Sequence, residues 1–422
     1  MKTSMTAKYA FSKLYPVLIC LPLVLPLLWN GAVLAAELTS SSTASVSVNM
    51  SGTQNTTSTD VNLAAGASVT VSPITTSSTQ SSFPPIKHVF IIVLENKGFD
   101  QTFGNTSPAT YLKDELTSKG QLLTQYYGTG HSSLDNYITM VSGQSPNFET
   151  QADCYVYSDF VGSPSLDADG QVIGQGCVYP STVQTIANQL VAHSLTWGAY
   201  AEDMANSTVE PKTCRHPGIG QADNTQSARV GDQYAARHNP FVYFHAITGS
   251  PACDAHDVDL SRLDTDLKQL ATTPNYVFIT PNLCNDGHDA PCVDGSPGGL
   301  ISIDKFLQLW VPKILASPAY NRDGMLIITF DEADTRGNES DTACCNEPSG
   351  PNTPLPGIAG PGGGRTGTVI LSKFVKPGSV NGAPYNHYSL LRTIEDLFGL
   401  GHLGYAGQAG LSAFGPDVFN AP

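Results

Sequence analysis

Two pairs of polar residues stand directly behind apolar runs. Glu95 and Asn96 follow His88-Val89-Phe90-Ile91-Ile92-Val93-Leu94, and Asp331 and Glu332 follow Met325-Leu326-Ile327-Ile328-Thr329-Phe330. Brought together, their carboxylates would repel and raise one another's pKa values, and a divalent cation resolves that conflict. Oxygen-only donors favour a hard ion such as calcium, magnesium or manganese, with iron and zinc as further options. Any one acidic residue here could equally cap a helix. The set of Glu95, Asn96, Asp331 and Glu332 favours a metal. A third polar group follows Tyr276-Val277-Phe278-Ile279-Thr280: Asn282, then Asp286, His288 and Asp289.

Ser132 and Ser133 stand in Gly130-His131-Ser132-Ser133-Leu134-Asp135-Asn136-Tyr137, ahead of a helix over Tyr137 to Ser142. A hydroxyl at a helix N-terminus beside a cation has its alkoxide stabilised by both charges. The same helix end can hold phosphate oxygens. Serine is also a common helix cap, so the local sequence leaves catalysis and capping open. His288 and His387, taken alone, read as structural or solvated histidines. Arg392 and Glu395 have the spacing of an ion pair on one helix face. Gly362-Gly363-Gly364-Arg365 lacks the Gly-Lys-Ser/Thr of a phosphate-binding P-loop.

These groups need a scaffold. The apolar runs read as buried strands, with two more at Phe241-Val242-Tyr243-Phe244 and Thr368-Val369-Ile370-Leu371. Helical patterns over Val183 to His193, Ile301 to Leu315 and Tyr388 to Phe398 lie between them. Strands alternating with helices give an α/β fold, a three-layer sandwich with a central, mainly parallel sheet flanked by helices. Ligands in such sheets bind beyond the carboxyl ends of the strands, where the acidic groups stand.

The N-terminal residues 1–36 have a basic start, a short apolar run broken by prolines, and small residues after it, which predicts a secretory signal peptide. Residues 37–83 are rich in Ser and Thr and predict a flexible linker. Residues 84–422 are expected to be one catalytic domain. Eight cysteines follow Cys20, an even number that fits disulfides in an oxidising compartment. Nearness suggests Cys154–Cys177, Cys214–Cys253 and Cys284–Cys292, leaving Cys344 and Cys345 adjacent. A net charge of −15 argues against nucleic acid or anionic lipid as bulk partners. A small phosphoester remains possible, because a bound cation can reverse the local potential. No stable membrane insertion is expected after cleavage, and the oligomeric state stays open.

The segment Leu94-Glu95-Asn96-Lys97-Gly98-Phe99-Asp100-Gln101-Thr102-Phe103-Gly104 resembles the opening motif of the phosphoesterase family, which holds acid phosphatases and nonspecific phospholipases C within the alkaline phosphatase superfamily. Lys97 and Gly98 replace the usual Arg and Ser. Further blocks, Arg237-His238-Asn239-Pro240-Phe241, Asn282 to Asp289 and Tyr385 to Glu395, extend the resemblance from about Ile86 to Leu400. It implies an alkaline-phosphatase-like fold and a metal held by Glu95, Asn96, Asp331 and Glu332. It also implies a nucleophile three residues before Asn136, which is Ser133, with Ser132 as runner-up. Ser133 would also bind the metal. His131, Asn136, Asp286 and His238 would contact substrate, Asn136 also acting in catalysis, and His288 and His387 would bind phosphate oxygens or protonate the leaving alkoxide, work that suits a cationic imidazole at acid pH. Asn282, where two-metal relatives tend to carry Asp, implies a single firmly bound metal. Ala333-Asp334-Thr335-Arg336 departs from the phospholipase pattern and favours a secreted or periplasmic acid phosphatase over a phospholipase C. A non-catalytic exported binding protein on the same fold is a third reading.

Overall fold

Alternation along one strand explains the layering. In β1 (His88–Leu94), Val89, Ile91 and Val93 point to one face and Phe90, Ile92 and Leu94 to the other, and all are fully buried. The first set packs with Tyr137, Ile138, Leu190, Leu390 and Ile394. The second packs with Leu112, Ile303, Leu307, Val311 and Ile314. A strand buried on both faces needs helices on both sides, and the computed structural model has that arrangement.

The structure describes residues 83–334 and 340–420, together with the backbone of a short antiparallel pair, Leu28–Trp29 with Ala32–Val33. The expected signal peptide and linker therefore lie almost wholly outside the described residues. The residues from 83 onward fall within one unit, Ser81–Pro422. Its main sheet adds β2 (Gln121–Leu123), β3 (Trp197–Ala201), β4 (Asp257–Asp259), β5 (Tyr276–Thr280), β6 (Gly324–Phe330), β7 (Thr368–Ser372) and β8 (Ser379–Asn381). The order is β4-β3-β5-β1-β6-β7-β2-β8. Seven strands run one way. Only β7 opposes them, antiparallel to both β6 and β2.

Four helices matter for the site and its support. They are α1 (Ser133–Ser142), α2 (Ile186–Ala192), α3 (Gly299–Ala316) and α4 (His387–Phe398). Helix α1 starts four residues before its expected start. The expected strand Phe241–Phe244 is instead a 3-10 turn, Pro240–Tyr243, leading into a short helix, His245–Thr248. Its side chains are buried like those of a strand, which is why composition misled. Nor do Arg392 and Glu395 meet as an ion pair. Arg392 donates to the carbonyls of Ala406 (2.9 Å) and Gln408 (3.2 Å), and Glu395 accepts from the Leu403 N–H at 2.8 Å.

All four disulfides are formed: Cys154–Cys177, Cys214–Cys253, Cys284–Cys292 and the adjacent Cys344–Cys345. Among the described residues, no helix is long and apolar enough to cross a membrane.

Candidate active site

β1 and β6 are adjacent and parallel, with Leu94 opposite Phe330. That register carries Glu95-Asn96 and Asp331-Glu332 out of the sheet at one level. Asn96 adopts a left-handed backbone, φ 46°, a conformation asparagine tolerates better than most residues. The turn aims its N–H at Asp331 Oδ1 (3.0 Å) and its side-chain amide at Glu332 Oε1 (2.6 Å). On the other flank the Glu95 N–H donates to the Asp286 carbonyl at 2.9 Å, which brings the turn after β5 alongside.

Glu95 is the hub. Its Oε2 accepts from Ser133 Oγ at 2.8 Å and its Oε1 from the Tyr137 hydroxyl at 2.6 Å. His238 Nε2 lies 3.4 Å from Oε1, and His238 Nδ1 lies 3.1 Å from Asp286 Oδ2. Glu95, Asp286, Asp331 and Glu332 are all buried. Burial raises the pKa of each, well above the usual range for Glu95 and Asp286; neighbouring Asp331 adds repulsion at Glu95, Asp286 and Glu332.

Among the described residues, three buried polar atoms in this group have no hydrogen-bond partner: Asn96 Oδ1, Asp331 Oδ2 and His238 Nε2. Buried polar atoms are normally satisfied, so three orphans amid crowded carboxylates fit a cation that these atoms would bind. The residues able to hold it are Glu95, Asn96, Asp331, Glu332 and Ser133, with His238 and Asp286 on the far side of Glu95. His238 has the arrangement of a metal-ligating imidazole, one nitrogen toward a carboxylate and the other toward the site.

The sequence-predicted residues separate into those that face this cluster and those that do not. Ser133 Oγ faces it, whereas Ser132 Oγ donates to the Gln151 carbonyl at 3.1 Å. Asp286 and His238 face it. His288 stands exposed at the edge, with Nδ1 2.8 Å from Asp289 Oδ1 and Nε2 3.3 Å from Arg237 Nη2.

Three expected substrate or catalytic residues are taken up by protein partners, His131 by the cluster's own Glu332. Asn136 accepts from the N–H groups of Thr129 (2.8 Å) and Gly130 (3.0 Å) and donates to the carbonyls of Gly130 (2.9 Å) and Ser132 (3.2 Å), so it organises the loop before α1 and has no group left for phosphate. His131 is bound through Nδ1 to Glu332 and through Nε2 to the Ser340 carbonyl. Burial works against charge on His131, but the contact with Glu332 outweighs it and holds the imidazole up at about 9. His387 is fully buried, with Nε2 on the Asp331 carbonyl (2.6 Å) and Nδ1 on the Tyr126 hydroxyl (3.0 Å). Burial lowers its pKa to about 4, so it is neutral and positions the Asp331 strand end. Asn282 also lies off the cluster, donating to Asp203 Oδ2 at 2.9 Å.

Two contributors went unassigned as site residues at the sequence level. Tyr137 lies four residues after Ser133 on the same helix face, a spacing that could have found it. Lys97 stood out only as a departure from a motif. It is buried and donates to the carbonyls of Gly287 (2.9 Å), Asn96 (3.2 Å) and Glu95 (3.3 Å), joining the strand-end turn to the 286–288 turn.

A mainly parallel α/β sheet with a buried carboxylate centre on its carboxyl rim defines the class. Within it, this chain belongs to the phosphoesterase family, whose model matches residues 107–401. The match ends where the sequence blocks end but starts after the Leu94–Gly104 motif. The chain is 26% identical over 290 residues to a phosphate-repressible acid phosphatase of Penicillium chrysogenum, covering 69% of this chain and 55% of that protein. It is 24% identical to a probable acid phosphatase of Kluyveromyces lactis (75% and 59% covered) and 23% identical to a phosphatidylinositol-3-phosphatase of Mycobacterium tuberculosis (78% and 82%). The chain thus spans little more than half the length of the fungal relatives. Among solved structures it is similar to a protein in the alkaline phosphatase superfamily from Vibrio parahaemolyticus, with 14% identity, 76% of this chain and 68% of that one covered, and a TM-score of 0.42.

Proposed function

We propose that this chain is an exported, metal-dependent phosphoric-ester hydrolase, most simply an acid phosphatase acting on phosphomonoesters. The observation that carries the reading is the Ser133 hydroxyl on Glu95 Oε2 at 2.8 Å, inside a buried carboxylate group with orphaned Asn96 and Asp331 oxygens. A divalent cation bound there would offset the carboxylate charge, favour the alkoxide of Ser133 and balance charge on the phosphoryl group.

The chain's own residues then have distinct tasks. Ser133 sits at the N-terminus of α1, where main-chain N–H groups face an incoming anion. Its proton is held toward Glu95. Attack by Oγ forms the Oγ–P bond as the hydroxyl proton passes to Glu95 Oε2, and breaks the bond from phosphorus to the leaving oxygen, giving a phosphoserine that water later opens. His288, the solvent-facing imidazole of the set, would give its proton to the leaving alkoxide. His238, backed by Asp286, keeps a nitrogen toward Glu95, and Lys97 fixes the turn that carries Asp286.

The test is metal analysis of the purified protein together with rates on phenyl phosphate, bis-phenyl phosphate and phosphatidylcholine from pH 4 to 9. A bound divalent metal with monoester turnover strongest at acid pH is expected. Preference for phosphatidylcholine would favour a phospholipase C. No hydrolysis with any metal at any pH would leave a binding protein on this fold.

A further inference from the structure

Arg215 and Arg237 are both buried, and they are held very differently. Arg215 is saturated with carboxylates. Its Nε donates to Glu210 Oε2 at 2.6 Å, and Nη1 and Nη2 donate to the two oxygens of Asp232 at 2.8 Å each. A buried guanidinium is normally paired in this way. Arg237 has no carboxylate within hydrogen-bond reach among the described residues. Nη1 donates to the Gln226 carbonyl at 3.1 Å, Nη2 lies 3.3 Å from His288 Nε2, and Nε stands 3.7 Å from Asp153 Oδ2. Nε thus has no hydrogen-bond partner among the described residues, and it is not sealed from solvent.

This spare cation stands beside the serine. The next residue, His238, turns its Nε2 toward Glu95 Oε1 at 3.4 Å, the carboxylate that receives the Ser133 hydroxyl on its other oxygen. Asp153 links Arg237 to the start of α1. Its Oδ1 accepts from the Leu134 N–H at 3.0 Å, the residue directly after Ser133, while its Oδ2 faces Arg237. Asp153 is a weak partner for this guanidinium, because 3.7 Å is too long for the charge-assisted bonds that Arg215 makes.

A planar guanidinium with free donors, set next to a serine at a helix start, matches the oxygens of a tetrahedral phosphoryl group. We propose that Arg237 binds a non-bridging oxygen of the phosphoryl group held at Ser133, with Asp153 as its partial counter-charge before substrate enters. An oxygen that takes over Nη2 would also release His288 Nε2 to face the leaving alkoxide. The role in turnover rests on the phosphoesterase reading. Binding of free phosphate does not.

The experiment titrates the full chain with inorganic phosphate by calorimetry and measures kcat/KM at pH 7 for phenyl phosphate and bis-phenyl phosphate. Arg237→Met removes the charge at similar length. Phosphate should bind this variant about tenfold to a hundredfold more weakly than the parent. For the monoester kcat/KM should fall by a similar factor. For the diester, which has one charged oxygen fewer, it should fall only a few fold. An arginine that only braced the fold would lower both esters alike. If Arg237→Met does not fold, Asp153→Asn decides. It keeps an oxygen for the Leu134 N–H, removes the charge facing Arg237 and should tighten phosphate severalfold. No phosphate binding by the parent, equal binding by Arg237→Met, equal losses on the two esters, or no gain in Asp153→Asn overturns the proposal. If the parent hydrolyses neither ester the phosphoesterase reading fails, while the phosphate titration still decides Arg237.

Discussion

Ser133 Oγ donates to Glu95 Oε2 at 2.8 Å across a separation of 38 residues, joining the start of α1 to the end of β1. The adjacent Ser132 hydroxyl turns away to the Gln151 carbonyl. The extended Ser132 and the first helical residue Ser133 thus direct their hydroxyls to different partners, and Ser133 alone of the two meets the carboxylate cluster. Ser133→Ala should lower kcat by about a thousandfold or more while the circular dichroism spectrum is unchanged. Ser132→Ala should stay within a few fold of the parent. Single-turnover kinetics on phenyl phosphate separate the two, and near-normal turnover by Ser133→Ala removes Ser133 as nucleophile.

Asn136 gives a contrasting prediction. Its buried amide makes at least four hydrogen bonds to the main chain of residues 129–132. Asn136→Ala leaves those groups unsatisfied and should cost about 2–4 kcal/mol of stability. Urea unfolding should show that loss directly. A variant of parental stability with reduced phosphate affinity would instead return Asn136 to the substrate.

Much of this site was legible because its residues follow long apolar runs. Glu95, Asn96, Asp331 and Glu332 follow two strands of seven residues each, and parallel pairing brings such ends together. The short strands β2, β4 and β8, three residues each, carry too little pattern to be read. Phe241–Phe244 has strand composition, yet Pro240 at its start favours the turn that forms. Residue roles were least legible. His387 and His288 look alike in sequence, but one is enclosed beneath the Asp331 carbonyl and the other is exposed, and only tertiary packing separates them.

Metal removal should be strongly pH-dependent. Burial raises the Glu95, Asp286 and Asp331 carboxyl groups above their ordinary range, and the neighbouring Asp331 adds repulsion at Glu95 and Asp286. Near pH 4 they are protonated in the folded state and only partly ionised in the unfolded chain, so the cost is small. As pH rises, the unfolded chain releases protons that the metal-free folded state retains, so stability falls. A bound cation cancels that penalty. Chelation should therefore lower the melting temperature by several degrees at pH 8 and by little near pH 4. Calorimetry with and without chelator reads this, and an equal shift at both values would exclude a cation from the carboxylate centre.

Glu395 offers the same physics away from the site. Burial pushes its carboxyl up to about 9, and the Leu403 N–H bond and Arg392 oppose this only in part. Its other oxygen is buried without a hydrogen-bond partner among the described residues. Below its ordinary pKa of 4.5 the group is neutral folded and unfolded, with no cost. Between there and about 9 the unfolded chain ionises first, so stability declines as pH rises, and the penalty is complete above that value. Glu395→Gln keeps an oxygen for Leu403 and cannot ionise. It should match the parent at pH 4 and melt about 2 °C or more higher at pH 8, where a gain of about 1 kcal/mol has that effect in a domain of this size. A parallel pH profile for the two proteins would show that Glu395 is ionised at no cost, through a partner other than Leu403.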